Sequence, residues 1–89
     1  MTKKLIIIGK ENCSYCTNAK NLSAARKIEY TYLDCPKDLS LPEAFKMAGQ
    51  EFSTFPAIFM VDEDNNTKNW IGGFTEYRAK ANHIKNELS

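Results

Sequence analysis

The sequence of 89 residues has little proline or glycine and almost no charge imbalance. Its three prolines and four glycines are scattered, and no linker, repeat or low-complexity segment interrupts the chain. The 12 basic and 11 acidic residues leave a formal net charge of +1, with no basic face or acidic tail that would indicate nucleic acid or a membrane as partner. This length suits one core, and we expect a single domain over residues 1–89.

The N-terminal segment also lacks the apolar stretch of a signal peptide. Only four apolar residues, Leu5–Ile8, follow the two lysines at positions 3 and 4, whereas a signal peptide needs about 7 to 15. We therefore expect a cytoplasmic protein. In that reducing compartment three cysteines do not indicate a disulfide framework. They are expected to serve chemistry, to bind metal or to fill the interior.

Hydrophobic spacing and turn formers predict seven elements. The apolar run Leu5–Ile8 predicts a central strand buried on both faces. The pattern further predicts a helix over 14–27 whose inner face carries Tyr15, Ala19, Leu22 and Ala25 or Arg26, a strand over 30–33, and a short helix between Ser40 and Gly49. A hairpin of strands 57–61 and 67–71 follows, and then a helix capped by Thr75 that buries Tyr77, Ala81, Ile84 and Leu88.

The order β-α-β-α-β-β-α predicts an α/β fold. The crossover rule makes the first two strands parallel, and the hairpin adds two antiparallel strands. We therefore expect a four-stranded mixed sheet covered by helices.

The segment Gly9–Thr17, GKENCSYCT, carries the chemistry, because its cysteine pair lies between a buried strand and a helix. First-turn amides without a helical partner, together with the helix dipole, favour a thiolate at Cys13, and Lys10 adds a cation. Together they are expected to lower the Cys13 pKa into the range of about 3.5 to 7.5. Cys16, one turn deeper, can attack a mixed disulfide formed on Cys13.

Two alternatives to redox chemistry are a zinc site and a pair of inert, buried thiols. Structural zinc needs four ligands, usually as two close pairs, and only Cys35 and His83 remain for it. Cys35 is interpreted as a semi-buried thiol, and His83 falls on the polar side of the last helix, so we predict no metal site. Asp62, Asp64 and Asn66 imitate an EF-hand loop but lack its glycine and its final glutamate.

Three motifs in order resemble the glutaredoxin family of the thioredoxin-fold superfamily, and the resemblance covers essentially the whole chain. They are K-x-x-C-S-Y-C over 10–16, T-F-P over 54–56 and G-G-F-T-E over 72–76. The resemblance implies a thioredoxin fold, with Cys13 as the nucleophile of a disulfide oxidoreductase and Cys16 as its resolving thiol.

The resemblance also implies a binding groove for glutathione, the reducing co-substrate. In it Lys10 lies near a carboxylate, Tyr15 flanks the groove, and a cis Pro56 after Thr54 leaves the Phe55 backbone free to pair with the cysteinyl part. Glycines let backbone approach a ligand, and the next helix offers amides to the γ-glutamyl carboxylate. This second part of the groove is expected to comprise Gly73, Phe74 and Thr75.

The implied partners are glutathione and disulfide-containing or glutathionylated proteins, acted on by a monomer. Departures from the family pattern are Ser14 in place of proline, Ser53 in place of a common arginine, and Thr75 in place of aspartate. Some family members with serine at the position of Ser14 hold a [2Fe-2S] cluster between two subunits with glutathione, so a glutathione-ligated cluster carrier is one alternative. The other is a thioredoxin-like donor recharged by a flavoprotein reductase, serving ribonucleotide reductase as small phage-type glutaredoxins do.

Overall fold

The computed structural model describes residues 3–88, which form four strands and three helices in the predicted order. The elements are β1 (Lys3–Gly9), α1 (Ser14–Ala25), β2 (Thr31–Asp34), α2 (Leu41–Ala48), β3 (Ala57–Asp62), β4 (Thr67–Gly72) and α3 (Phe74–Leu88). Within this described part, no helix is long and apolar enough to cross a membrane.

The four strands form one mixed sheet in the order β2-β1-β3-β4. β1 runs parallel to β2 and antiparallel to β3, and β3 pairs antiparallel with β4. The predicted α/β class and the thioredoxin fold are thereby confirmed. β1 is central, and Leu5 to Ile8 are all at most 7% exposed, because helices cover both faces of the strand.

Alternate residues of the central strands divide the core into two layers. Leu5, Ile7 and Ile58 face α1 and α3, whereas Ile8 and Phe59 face α2. Since side chains alternate across a strand, the continuous apolar run of β1 supplies both layers. The same alternation directs the end of β2, with Tyr32 toward the α1 layer and Leu33 and Cys35 toward the α2 layer.

The buried face of α1 differs from the predicted one. Cys16, Ala19 and Ser23 are buried, whereas Tyr15 is 58% exposed. Ala19 is buried and Leu22 is partly buried as predicted, but the prediction is wrong for Tyr15 and for Ala25 or Arg26, which are exposed. The i, i+3, i+7 spacing from Cys16 is the one that meets the sheet. The helix also ends at Ala25, before the predicted residue 27, and Lys27 has a left-handed φ of 57°.

The predicted caps of α2 are confirmed, whereas the predicted cap of α3 is wrong. α2 has the capping box of Ser40 and Glu43, and it ends at Gly49 with φ of 80°. α3 buries Tyr77, Ala81 and Ile84 as predicted, and Leu88 packs partly buried against them. Thr75 is not the cap: α3 already begins at Phe74, and Glu76 Oε1 accepts the Gly73 N–H at 2.8 Å.

Candidate active site

The two cysteines lie where β1 leads into α1, and they form a disulfide with a Cα–Cα distance of 5.2 Å. Cys13 is the N-cap residue of α1, in an extended conformation, and Cys16 lies in the first turn. Cys16 is only 1% exposed, whereas Cys13 is half-buried. A molecule arriving from solvent therefore reaches the Cys13 sulfur first, and Cys16 lies behind it.

The Cys13 sulfur occupies the position of a helix-capping oxygen. Its Sγ accepts the Cys16 backbone N–H at 3.2 Å, as a serine or aspartate side chain does at an N-cap. No acidic side chain lies in the first turn of α1, so the partial positive charge of the helix terminus acts on the sulfur alone. This arrangement favours an anionic sulfur at Cys13 whenever the disulfide is open.

One side of the predicted groove assembles around Phe55. The Phe55 carbonyl oxygen lies 3.9 Å from Cys13 Sγ, and the Phe55–Pro56 peptide bond is cis, as the resemblance implied. Lys10 Nζ lies 5.6 Å from the centroid of the Phe55 ring, within the range of a cation–π interaction. Thr54, in the loop before Phe55, is exposed. The structure thus brings the backbone before Pro56 and Lys10 next to the outer sulfur.

The other residues predicted for the groove lie at the beginning of α1 and of α3. The rings of Tyr15 and Phe74 stack with centroids 6.1 Å apart, and Tyr15 is exposed on the outer face of α1. Gly73 lies beside the loop that carries Pro56, since a Cβ on it would be 3.7 Å from the Pro56 carbonyl oxygen. Thr75 is exposed in the first turn of α3.

A second surface of the disulfide was not predicted. An open depression touches both cysteines and extends past Lys20 to Tyr32 and Asp34. Lys20 Nζ lies 4.3 Å from the centroid of the Tyr32 ring, and burial, followed by the charge of Asp34, raises the pKa of the Tyr32 hydroxyl. The i, i+2 spacing of Tyr32 and Asp34 predicts that both lie on one face of β2, but it does not predict that the disulfide is their neighbour.

Gly9 makes room for this second surface. A Cβ on Gly9 would overlap the Tyr32 hydroxyl and come within 2.8 Å of Cζ of its ring. The missing side chain therefore lets the Tyr32 ring lie directly over the end of β1. Sequence reasoning treated Gly9 only as the boundary of a strand.

Cys35 is more buried than the predicted semi-buried thiol, at 6% exposure. Its backbone N–H donates to the Gly9 carbonyl at 2.7 Å, and it packs into the α2 layer of the core. Burial raises the pKa of its thiol, and the neighbouring Asp34 charge raises it further. His83 is exposed as predicted and pairs with Glu87 on the next turn of α3.

We predict that Cys35 resists alkylation in the folded, reduced protein. A raised pKa leaves little thiolate at pH 7, and burial hinders the reagent, so iodoacetamide should modify Cys13 and leave Cys35 intact. Labelling of Cys35 should increase only as the pH rises or when denaturant is added. Peptide mass spectrometry after a short pulse measures both, and equal labelling of Cys13 and Cys35 at pH 7 would contradict the prediction.

Across residues 3–88, no group of three or more His, Cys, Asp or Glu side chains is placed to hold a metal ion. An iron–sulfur cluster requires exposed thiolates as ligands, usually four. One chain presents only Cys13, because Cys16 and Cys35 are 1% and 6% exposed. One chain by itself therefore does not supply the ligands of a [2Fe-2S] cluster, and the glutathione-ligated cluster between two subunits stays a prediction.

A cysteine pair at the start of the first helix, next to a cis-proline loop, defines a thiol-disulfide oxidoreductase of the thioredoxin fold. The glutaredoxin family model matches residues 5–64. A glutaredoxin of Haemophilus influenzae is 32% identical over 81 residues, covering 84% of this chain and 86% of that protein. The chain belongs to the glutaredoxin family, whose members are disulfide oxidoreductases.

Solved structures agree with this assignment. Glutaredoxin 1 of Francisella tularensis, solved with cacodylate, is 26% identical and superposes with a TM-score of 0.66, covering 96% of this chain and 99% of that one. The buckwheat glutaredoxin–glutathione complex shares the fold, with 22% identity, a TM-score of 0.61, and coverage of 93% of this chain and 72% of that one.

Proposed function

We propose that this protein is a glutathione-dependent oxidoreductase that reduces protein disulfides and glutathione mixed disulfides through Cys13 and Cys16. The observation that carries the proposal is the unequal exposure of the pair. The half-buried Cys13 sulfur caps α1 and lies 3.9 Å from the Phe55 carbonyl, with the buried Cys16 behind it. The solved complex of buckwheat glutaredoxin with glutathione supports the choice of co-substrate.

In the proposed reaction the Cys13 thiolate attacks a substrate disulfide. A bond forms between Cys13 Sγ and one substrate sulfur, and the other sulfur leaves as a thiolate and takes a proton. The Cys16 amide and the terminus of α1 stabilise the attacking anion. The mixed disulfide is then released by Cys16, which restores the Cys13–Cys16 disulfide, or by a glutathione thiolate.

The same groove is proposed to position glutathione on Cys13. The Phe55 backbone pairs with the cysteinyl part as a short strand would, and Lys10 faces a carboxylate. Tyr15 and Phe74 form the wall opposite Phe55, while Thr54 and Pro56 shape the loop. The Gly73 N–H is engaged by Glu76, so the first-turn amides of Phe74 and Thr75 are the donors proposed for the γ-glutamyl carboxylate.

Disulfide-containing and glutathionylated proteins are the proposed partners, with ribonucleotide reductase as one such substrate. We propose that the protein acts as a monomer in the cytoplasm, where the glutathione pool keeps both cysteines reduced between turnovers.

Reduction of hydroxyethyl disulfide coupled to NADPH, glutathione and glutathione reductase tests the proposal. Turnover that requires glutathione supports it. A folded protein that turns over only with a flavoprotein thioredoxin reductase would exclude glutathione dependence and favour the thioredoxin-like reaction. Absence of turnover with either reductant would overturn the proposed function.

We predict that Lys10→Gln raises the KM for glutathione by about two- to fivefold, because an exposed ion pair contributes up to ~1 kcal/mol. The effect should shrink at high salt, where screening weakens the native contact. Lys27→Gln, which removes the same charge beyond the far end of α1, is the matched control. An unchanged KM in Lys10→Gln, or an equal rise of the KM in both variants, would contradict the proposed contact between Lys10 and glutathione.

A further inference from the structure

Asp34 carries a buried carboxylate oxygen that no residue satisfies. It ends β2 opposite Gly9 of β1, and its Oδ1 has no hydrogen-bond donor among the residues that the structure describes. The backbone of Asp34 is fully engaged, since its N–H donates to Asp38 Oδ2 and its carbonyl accepts the Asp38 N–H. A buried polar atom left without a partner costs about 1–3 kcal/mol, so its retention calls for an explanation.

Asp34 lines the same depression as both cysteines. Tyr32 and Asp34 are two positions apart on β2, so both side chains face the α1 side of the sheet. Lys20 and Lys10 also line this depression, but their ammonium groups lie over the rings of Tyr32 and Phe55. Asp34 therefore shares this depression with the disulfide, and within residues 3–88 no ion pair joins it to either lysine.

The titratable groups around Asp34 come from three parts of the fold: Lys10 and Glu11 from the loop after β1, Cys13, Cys16 and Lys20 from α1, and Tyr32, Cys35, Lys37 and Asp38 from β2 and the turn after it. After burial, the charge of Asp34 is the next cause that raises the pKa of both Tyr32 and Cys35. Its field therefore reaches its neighbours and opposes a second anion there, and this opposition is removed when Asp34 itself takes up the proton of the neighbouring group.

Cys16 is the group that has to ionise without ready access to solvent. As a reduced thiol it must lose its proton before it can attack a mixed disulfide on Cys13. At 1% exposure it is poorly reached by a base from bulk water. Cys16 and Asp34 line the same depression.

We propose that Asp34 accepts the Cys16 proton in the resolving step, directly or through a water in the depression. The inference rests on the dithiol branch of the proposed function. The proton passes from Cys16 Sγ to the Asp34 carboxylate, and the Cys16 thiolate attacks Cys13 Sγ. The Cys13–Cys16 bond forms, the bond from Cys13 to the substrate sulfur breaks, and the leaving thiolate takes the proton from the Asp34 carboxylic acid.

Asp34→Asn tests the proposal, because it keeps the shape of the side chain and removes the base. The resolving step is followed by rapid mixing of the reduced protein with a short peptide disulfide, a substrate that involves no glutathione. We expect its rate at pH 7 to fall by about 10²-fold, the lower end of what a positioned base contributes. The loss should narrow as the pH rises, because hydroxide replaces the missing base.

Two controls separate this role from others. In the Cys16→Ser background, Asp34→Asn should change turnover of a glutathione mixed disulfide by less than about twofold, because no proton leaves residue 16 in the monothiol reaction. Glu11→Gln removes a charge from the rim of the same depression and measures any general charge effect. Equal losses with and without Cys16, equal losses in Glu11→Gln, or a loss independent of pH would overturn the proposal.

The experiment with the peptide disulfide distinguishes failure of the role of Asp34 from failure of the proposed co-substrate. A protein that does not use glutathione still reduces the peptide disulfide, so failure of the proposed co-substrate leaves the test of Asp34 intact. Thermal unfolding checks the fold of Asp34→Asn. If that variant does not fold, Asp34→Ser, which leaves space for water, replaces it under the same criteria.

Discussion

We expect Cys13→Ser to lose reduction of both glutathione mixed disulfides and protein disulfides by at least about 10³-fold, which corresponds to ~4 kcal/mol of activation free energy. Every proposed step passes through the Cys13 sulfur, which is the more accessible one and which accepts the Cys16 amide. A serine hydroxyl at the same position can accept that amide as a helix cap, so the fold should be preserved. The hydroxyethyl disulfide assay and a peptide disulfide assay measure the two activities.

Cys16→Ser is the matched variant, because it removes a sulfur from the same helical turn. It should keep the reaction with glutathione mixed disulfides, in which a second glutathione releases the product, and lose reduction of protein disulfides. Thermal unfolding of both variants shows whether either loss comes from the fold. Substantial activity in Cys13→Ser, or equal loss of both activities in Cys16→Ser, would contradict the assignment of the nucleophile and the resolving thiol.

The order and type of all elements could be predicted because strong local signals mark them. The apolar run of β1, the capping box of α2 and the turn between β3 and β4 each depend on a few adjacent residues. The turn is a clear case, since the Asp62 side chain accepts the backbone N–H groups of Asp64 and Asn65. The predicted inner face of α1 was right for Ala19 and Leu22 but wrong for Tyr15, because a helix of this composition has no strong apolar stripe and the sheet decides which side is covered.

The site, like the fold, has a part that local sequence patterns predict and a part that they do not. Lys10, Tyr15, Phe55 and Phe74 could be proposed from motifs, and the structure brings Lys10 to Phe55 and Tyr15 to Phe74. The depression beside Asp34 could not, because it depends on the pairing of Gly9 with Asp34 across two parallel strands. Strand register joins residues far apart in sequence, and no local pattern specifies it.

The glycine pair at the end of β4 gives the second large expected effect. Gly72 has φ of 129°, a conformation that side chains with a Cβ rarely adopt, and a Cβ there would lie 2.9 Å from Cγ and Oε1 of Glu76. We expect Gly72→Ala to lower the free energy of unfolding by about 1–3 kcal/mol. For a domain of this size that lowers Tm by roughly 5 to 20 °C, measured by thermal unfolding.

Gly73→Ala separates the fold from the groove. The backbone of Gly73 does not have a positive φ, and a Cβ on it would lie 3.4 Å from Glu76 Oε1 and 3.7 Å from the Pro56 carbonyl oxygen. The end of the Glu76 side chain can move, so stability should change by less than about 0.5 kcal/mol. The added methyl group narrows the proposed glutathione site, and we expect the KM for glutathione to rise at least about fivefold.

The two alanine variants are therefore expected to affect different properties of the protein, one its stability and the other its binding of glutathione. Gly72→Ala strains the backbone where β4 leads into α3, so its main effect is expected on the free energy of unfolding. Gly73→Ala leaves that turn intact and places its methyl group beside the loop that holds Phe55 and Pro56. Its main effect is therefore expected on the KM for glutathione. An unchanged KM for glutathione in Gly73→Ala would contradict the proposed position of the γ-glutamyl end next to α3. An unchanged Tm in Gly72→Ala would show that the turn accommodates a Cβ.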